Sequence, residues 1–454
     1  MELDTLLPLS MFIVLGLLLF SGYPVAFVLG GIGLAFGLIG YYYDFFSLIE
    51  FFNIVPRIWG GIAESLILTA IPMFILMGTA LEKSGLANDL LHVLQIILRR
   101  VPGALALAVT LLGTILAATT GIIGASVVML TLMALPVMME RHYNTPLSVG
   151  TIAASSTLGI LIPPSIMLVM MADLMAVSVG KMFIAALLPG LMLSLLYTLY
   201  IMATGLFRPK LAPKLPREAG AQSYGHLLLM VVKSFIPPVA LVLLVLGSIF
   251  AGWASPTEAS GVGAAGALLL AFFNGRLSLA AMKDIVQRTA HTGAMIFFIF
   301  IGATAFSYVF RSLGGDDVVI DLIESYAIGP WGVLTALMIG VFILGFFFDW
   351  VEITLIVLPI FMPIIQTLDF GNHLPTTDVV YWFAILVAVN LQTSFLTPPF
   401  GFALFYLKSV APSSVRIQQI YKGIIPFVVL QLIGLVMIMM YPAIALWLPA
   451  QLQN

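Results

Sequence analysis

Two segments carry the same disruption at matching places in the chain. Ser155-Ser156-Thr157 leads into Pro163-Pro164 in the first half, and Gln392-Thr393-Ser394 leads through Thr397 into Pro398-Pro399 in the second. Proline removes a backbone donor and clashes with the preceding helical turn, so a Pro pair after small hydroxyl residues breaks a helix. Both pairs lie in apolar runs, and 61% of the 454 residues are hydrophobic while 8% are charged. Soluble domains carry about 25% charged residues, which makes this a polytopic membrane chain in a lipid bilayer. Broken helices are tolerated in a membrane only where protein or a cavity satisfies the freed backbone, and breaks at corresponding positions of two halves mark a midplane site.

The composition excludes several functions. The formal net charge is −2, so nothing attracts nucleic acid. There are no cysteines, which removes disulfides, thiolate metal sites and cysteine nucleophiles. The acidic N-terminus and the long apolar run after it read as a retained helix rather than a signal peptide. No phosphate-cradling Gly-rich loop ending in Lys-Ser or Lys-Thr is present, so ATP is not the direct driver. The five histidines show no metal-binding spacing.

Apolar runs predict crossings near residues 5–21, 23–40, 58–81, 147–172, 181–205, 226–252, 256–274, 294–312, 378–408 and 418–448. Two further regions, about 105–138 and 330–365, are interrupted centrally, by Thr119-Thr120-Gly121 to Ser126 and by Asp349 to Thr354. Each half is short for a crossing, so both are predicted to be re-entrant hairpins with polar tips at membrane depth. The resulting fold class is an all-α polytopic membrane protein with inverted repeats, each bearing a hairpin and a Pro-Pro broken helix. Its parts are N-terminal helices (1–57), a first repeat (58–205), a basic linker (206–225), connecting helices with an amphipathic segment (226–293) and a second repeat (294–454). Five crossings separate the repeats, and an odd number inverts the second.

The distribution of basic residues tests that count. With Arg208, Lys210, Lys214 and Arg217 in the cytoplasm, only Arg57, Lys181 and Arg311 of the 18 Lys and Arg fall outside. The acidic group Asp316, Asp317, Asp321 and Glu324 is then external, as are both termini. The first hairpin enters from the cytoplasm and the second from outside.

Four polar elements therefore converge at the midplane. Thr119, Thr120, Ser126, Ser155, Ser156, Thr157, Thr393, Ser394 and Thr397 supply hydroxyls, and unwound backbone supplies carbonyls, a hard-oxygen set that suits Na⁺. For one hydroxyl, a bond to a neighbouring helix is the plainer reading; four duplicated clusters are harder to explain that way. Asp349 and Glu352 are deep carboxylates three residues apart, and an ionised group at the bilayer centre costs roughly 2.5 to 3.5 kcal/mol on the lenient insertion scale. They either hold a cation or close a half-helix. Ser255-Pro256-Thr257-Glu258 reads as a capping box, so Glu258 serves a helix start. Glu64 has no evident partner.

Gly22 to Gly30, Ile71 to Gly78, Ser155 to Pro164 and Thr393 to Phe405 closely resemble the large membrane subunit of tripartite ATP-independent periplasmic (TRAP) transporters, the DctM type. The similarity runs over nearly the whole chain. It implies a sodium-coupled importer of an organic acid or similar solute in the bacterial inner membrane, without an organic cofactor. Its implied partners are a small four-helix membrane subunit, expected as a separate polypeptide, and a periplasmic substrate-binding protein, with the hairpin-bearing part moving as an elevator. Carried onto this sequence, one Na⁺ site falls on Thr119 to Ser126 with Ser155 to Thr157, and the other on Asp349, Glu352 and Thr354 with Gln392, Thr393 and Ser394. Thr120, Gly121, Ser156, Pro163, Pro164, Thr397, Pro398 and Pro399 are expected around the substrate. A stand-alone dicarboxylate carrier and an intramembrane hydrolase using Ser126 or Asp349 are the alternatives.

Overall fold

The computed structural model describes residues 3–120, 123–214, 224–325, 329–398 and 401–452, without the side chains of 3–4, 117–120, 224, 226–227 and 322–324. Every regular element among the described residues is helical. Eight helices there are long and apolar enough to cross a bilayer alone, and a ninth span forms from a pair bent by 42° at Phe235.

The chain opens with α1 (Leu3–Leu19), α2 (Val25–Tyr42) and α3 (Leu48–Ile58). After α3 the backbone widens into a π turn at Trp59–Ala63, and α4 (Ala70–Lys83) begins only at Ala70. The crossing predicted from residue 58 is thus interrupted, because Gly60-Gly61 weakens the helix and Glu64 turns back to accept from Trp59 Nε1 at 2.8 Å. The first repeat continues with α5 (Leu86–Leu98), the hairpin α6 (Ala104–Thr120) and α7 (Ile123–Glu140), the broken helix α8 (Thr145–Thr157) and α9 (Ile166–Leu174), and α10 (Val179–Phe207). Next come α11 (Tyr224–Ser234), α12 (Ile236–Phe250) and α13 (Pro256–Phe273). Helix α13 starts on the predicted box: Ser255 N and Oγ each donate to Glu258 at 2.8 Å. The second repeat follows as α14 (Leu279–Ser312), α15 (Gly315–Ser325), the hairpin α16 (Pro330–Leu344) and α17 (Trp350–Thr367), the broken helix α18 (Val379–Leu396) and α19 (Phe402–Val410), then α20 (Ile417–Met440) and α21 (Ala443–Leu452).

Contacts between corresponding helices of the two halves are reciprocal. Helix α2 packs on α14 and α13 on α4; α8 packs on α20 and α18 on α10; α7 meets α19 and α17 meets α9. Exchange of equivalent elements is the mark of an internal two-fold, as the odd crossing count requires. At the α8–α20 crossing the helices touch backbone to backbone. A Cβ on Gly150 would strike the Gly423 carbonyl, and one on Gly423 would strike that of Pro146, so glycine alone fits both positions.

Both hairpins bring their outer ends together. Leu105 N donates to Tyr143 Oη at 3.2 Å, joining the start of α6 to the turn after α7. Trp331 at the start of α16 stacks edge-on with Phe370 and His373 beyond α17, and Trp382 of α18 completes this four-ring cluster. One arm of each hairpin is longer than the sequence reading held, while α6 and α16 are short for a crossing. Helices α7 and α17 have 18 residues each, about 27 Å at 1.5 Å per residue, close to a full hydrocarbon thickness. The starts of α7 and α17 border one small cavity inside the protein.

Charged groups assigned to one face of the membrane find each other. Lys83 pairs with Asp284 at 2.6 Å and Arg288 with Glu82 at 3.5 Å on the cytoplasmic face. Lys181 pairs with Asp378 at 3.1 Å, and Arg311 with Asp316 at 3.4 Å, on the other.

Candidate functional site

A cavity of about 100 Å³ lies where the hairpin tips and helix breaks converge. Its wall contains the first residues of four helices: Ile123 and Gly124 of α7, Ile166 of α9, Trp350 and Val351 of α17, and Phe402 of α19. Each helix start carries unsatisfied N–H groups and roughly half a positive charge. Four of them border one small space; that of α17 is already capped by the carboxylates of Asp349 and Glu352, and those of α7, α9 and α19 favour an anionic group without any arginine in the wall. The remaining wall comes from Thr292, Met295 and Ile296 of α14, Phe395 of α18 and Tyr406 of α19.

Asp349 also lines this cavity, as the N-cap of α17. Its carboxylate accepts from Trp350 N at 2.8 Å, while Glu352 reaches back to accept from Asp349 N at 2.9 Å. The two acids form a reciprocal capping box, so both alternatives drawn from sequence describe Asp349: it closes a half-helix and it faces the cavity. Thr354, one turn further, is fully buried with no partner for its hydroxyl.

Behind Asp349 the second hairpin presses on α18. A Cβ on Gly345 would land on the Ser394 hydroxyl, so the hairpin turn rests directly on the Gln392-Thr393-Ser394 segment. Thr393 donates to the Asn390 carbonyl at 2.6 Å, and Thr397 donates to that of Thr393. Ser394 Oγ, Asn390 Oδ1 and both amide atoms of Gln392 are buried without a partner. Native proteins leave few such groups, each costing about 1 to 3 kcal/mol, and here several cluster.

The first repeat is better satisfied. Ser155 donates to Thr110 Oγ1 at 3.4 Å, and its Cβ sits 2.6 Å from where a Cβ on Gly113 would lie, so α6 rests on α8 as the second hairpin rests on α18. Ser156 and Thr157 donate to the carbonyls of Ile152 and Ala154 at 2.8 and 2.9 Å. Ser126 is buried in α7. Thr157 also accepts from Gln431 Nε2 of α20 at 3.4 Å. Thr119 and Thr120 end α6 with side chains outside the described set, and Gly121 and Pro399 lie outside the described residues.

The described residues among those predicted around the substrate are not in the wall of this cavity. Pro163 and Pro164 are buried, with a cis bond between them, Ser156 is turned into its own helix, and Thr397 and Pro398 flank the break. The cavity is lined instead by their neighbours just past each break. Thr292 and Tyr406 were not anticipated; a lone polar residue in a long helix has no spacing to reveal it. Asn390 lies one turn before Ser394, a signal that i, i+4 spacing does offer.

The central cavity shares Gly124, Thr292 and Tyr406 with a larger one of about 950 Å³, which reaches Lys83, Arg276 and Arg288. Two outer cavities of about 370 and 790 Å³ share no lining residue with it.

Residues 12–444 match the family described as "Tripartite ATP-independent periplasmic transporter, DctM component". The chain belongs to this family. This DctM-type subunit is 29% identical over 391 residues to the C4-dicarboxylate TRAP transporter large permease protein DctM of Pseudomonas aeruginosa, covering 85% of this chain and 87% of the relative. It is 26% identical to the ectoine TRAP large permease protein TeaC of Halomonas elongata, covering 95% and 96%. It is 25% identical to the sialic acid TRAP large permease protein SiaM of Vibrio cholerae, with the same coverage. In fold it resembles the crystal structure of the YdaH transporter of Alcanivorax borkumensis, described as having an unusual topology, at 15% identity and a TM-score of 0.57 over 89% of this chain and 88% of that one. The DctM-type chain is thus a multi-pass, non-enzymatic transporter subunit, which removes the hydrolase alternative.

Proposed function

We propose that this chain is the large permease subunit of a sodium-coupled importer that takes an organic anion from a periplasmic binding protein across the bacterial inner membrane. A small four-helix membrane subunit completes the system, and the hairpin-bearing part moves as an elevator against the helices α2, α4, α13 and α14. The observation that carries the anion reading is the convergence of the N-termini of α7, α9 and α19 on one cavity, beside that of α17, which Asp349 and Glu352 already cap. Asp349 in the same wall is itself negative, so an anion binds beside it only when cations are taken up too. The unpartnered oxygens of Thr354, Asn390, Gln392 and Ser394 supply hard ligands for one Na⁺. Thr110, Ser126 and Ser155 to Thr157 supply hydroxyls for the other. The three relatives are named for different solutes, so the solute class rests on the cavity.

Reconstitution tests this reading. Proteoliposomes with both partners and an inward Na⁺ gradient are expected to take up solute, with a steeper than first-order dependence on Na⁺. Full-rate uptake by this chain alone would refute the tripartite assignment. Equal uptake driven by a proton gradient in Na⁺-free buffer would refute sodium coupling.

A further inference from the structure

The outer cavity of about 370 Å³ has a composition that the central site does not explain. It lies along α14 beyond the central cavity, from Ala303 to Ser312, and faces Leu355 and Pro359 of the second hairpin. Ile296, in the central wall, is seven residues before Ala303, or about 10 Å at 1.5 Å per residue. Two guanidinium groups, Arg57 and Arg311, line this outer cavity, and no carboxylate does. They are two of only three basic residues that the topology places outside.

Neither arginine is saturated. Arg57 lies over the Tyr308 ring, 5.1 Å from its centroid, a contact that uses none of its N–H donors, and among the described residues no carboxylate pairs with it. Arg311 Nε faces Asp316 at 3.4 Å, while its Nη2 donates to the Pro359 carbonyl. That carbonyl is free for a reason written in the sequence. Its helical partner would be the N–H of residue 363, and residue 363 is proline. The hairpin arm therefore exposes one orphan acceptor, and Arg311 of α14 takes it. Ser307, one turn before Arg311, belongs to the same wall, and its hydroxyl is buried without a partner.

We propose that Arg57 and Arg311 form a capture site for the carboxylate of the arriving solute, distinct from the central cavity, in which Arg311 exchanges the Pro359 carbonyl for that carboxylate. A carboxylate is the stronger acceptor for a guanidinium, because both partners are charged and the contact can be bidentate. Filling the site thus removes the bond that ties the second hairpin to α14. The inference deepens the anion reading of the central cavity and rests on it for the class of solute.

The absence of native cysteine makes the test direct. In Ser307→Cys, reaction with an impermeant thiol reagent is followed in spheroplasts washed free of binding protein and in Na⁺-free buffer. Succinate at millimolar concentration is expected to slow labelling about tenfold, and neutral succinamide is expected to leave it unchanged. Arg57→Gln or Arg311→Gln is expected to weaken protection about tenfold or more, the loss of one charge-assisted hydrogen bond. Thr304→Cys, in the same wall, serves if Ser307→Cys does not fold. Protection by succinamide, protection that survives both arginine substitutions, or two cysteines that never label from outside would each overturn the site. Inorganic phosphate protecting better than succinate would assign it to a lipid headgroup and overturn the solute reading. The measurement needs neither transport nor partners, so failed uptake in proteoliposomes and failed protection here count against different proposals.

Discussion

Gln392 gives the sharpest test of the ion site, because its cost and its use have opposite signs. Its side chain is fully buried on α18, and both amide atoms lack partners. Each orphaned group costs about 1 to 3 kcal/mol, so the pair destabilises the protein without Na⁺ by about 2 to 6 kcal/mol. Gln392→Met keeps the length of the side chain and removes both groups, at a repacking cost below about 1.5 kcal/mol. The variant is therefore expected to be more stable than the parent in Na⁺-free solution by about 2 kcal/mol. Sodium should reverse the order. A ligand at about 100 times its Kd stabilises by about 2.7 kcal/mol, and the share owed to this site should vanish in the variant. The assay is unfolding in detergent, with NaCl replaced stepwise by choline chloride at constant ionic strength. A variant less stable than the parent without Na⁺, or one that keeps the full Na⁺ increment, would refute the argument that Gln392 is held unsatisfied for an ion.

Three further outcomes follow from the geometry. Asn caps a helix as well as Asp does, so Asp349→Asn should keep its stability while raising the Na⁺ concentration for half-maximal uptake, whereas Asp349→Ala should also lose about 1 kcal/mol; unchanged Na⁺ dependence in Asp349→Asn would leave capping as its whole role. Gly345→Ala should lose about 1 to 3 kcal/mol by overpacking onto Ser394, and Ser394→Gly should recover most of that in the double variant, read from a thermodynamic cycle. A cysteine at Lys214 should be silent to an impermeant thiol reagent in intact spheroplasts while one at Asp317 labels readily, and the reverse pattern would invert the topology.

The backbone interruptions were the legible part of this fold. Proline pairs, central polar clusters and equal spacings survive in a sequence because they disrupt an apolar run that is otherwise uniform. The Glu258 box could be read for the same reason, as side-chain chemistry at a fixed offset. The cavity wall could not. Ile123, Ile166, Val351 and Phe402 carry no polar side chain, and what they offer is the backbone N–H of a helix start, which no residue type encodes. Thr292, Tyr406 and Gln431 were missed because the face a lone polar residue presents within a long helix is decided by its neighbours. The arms α7 and α17 were read as too short to cross because the central interruption divides each apolar run in two. Instead, α7 and α17 run 18 residues each and their starts border one small cavity inside the protein.

The aromatic cluster at the base of the second hairpin turns the unmodified protein into its own optical gauge. Of the six tryptophans, Trp59, Trp253 and Trp447 are 63%, 85% and 54% exposed and suit the lipid boundary. Trp331 and Trp382 sit in the cluster and Trp350 stands at the hairpin tip in the cavity wall. Brominated lipid would darken the first three and part of Trp331, which is 40% exposed, leaving an emission dominated by Trp350 and Trp382. Any movement of the hairpin tip could then be followed in real time, in a bilayer, with no label on the protein.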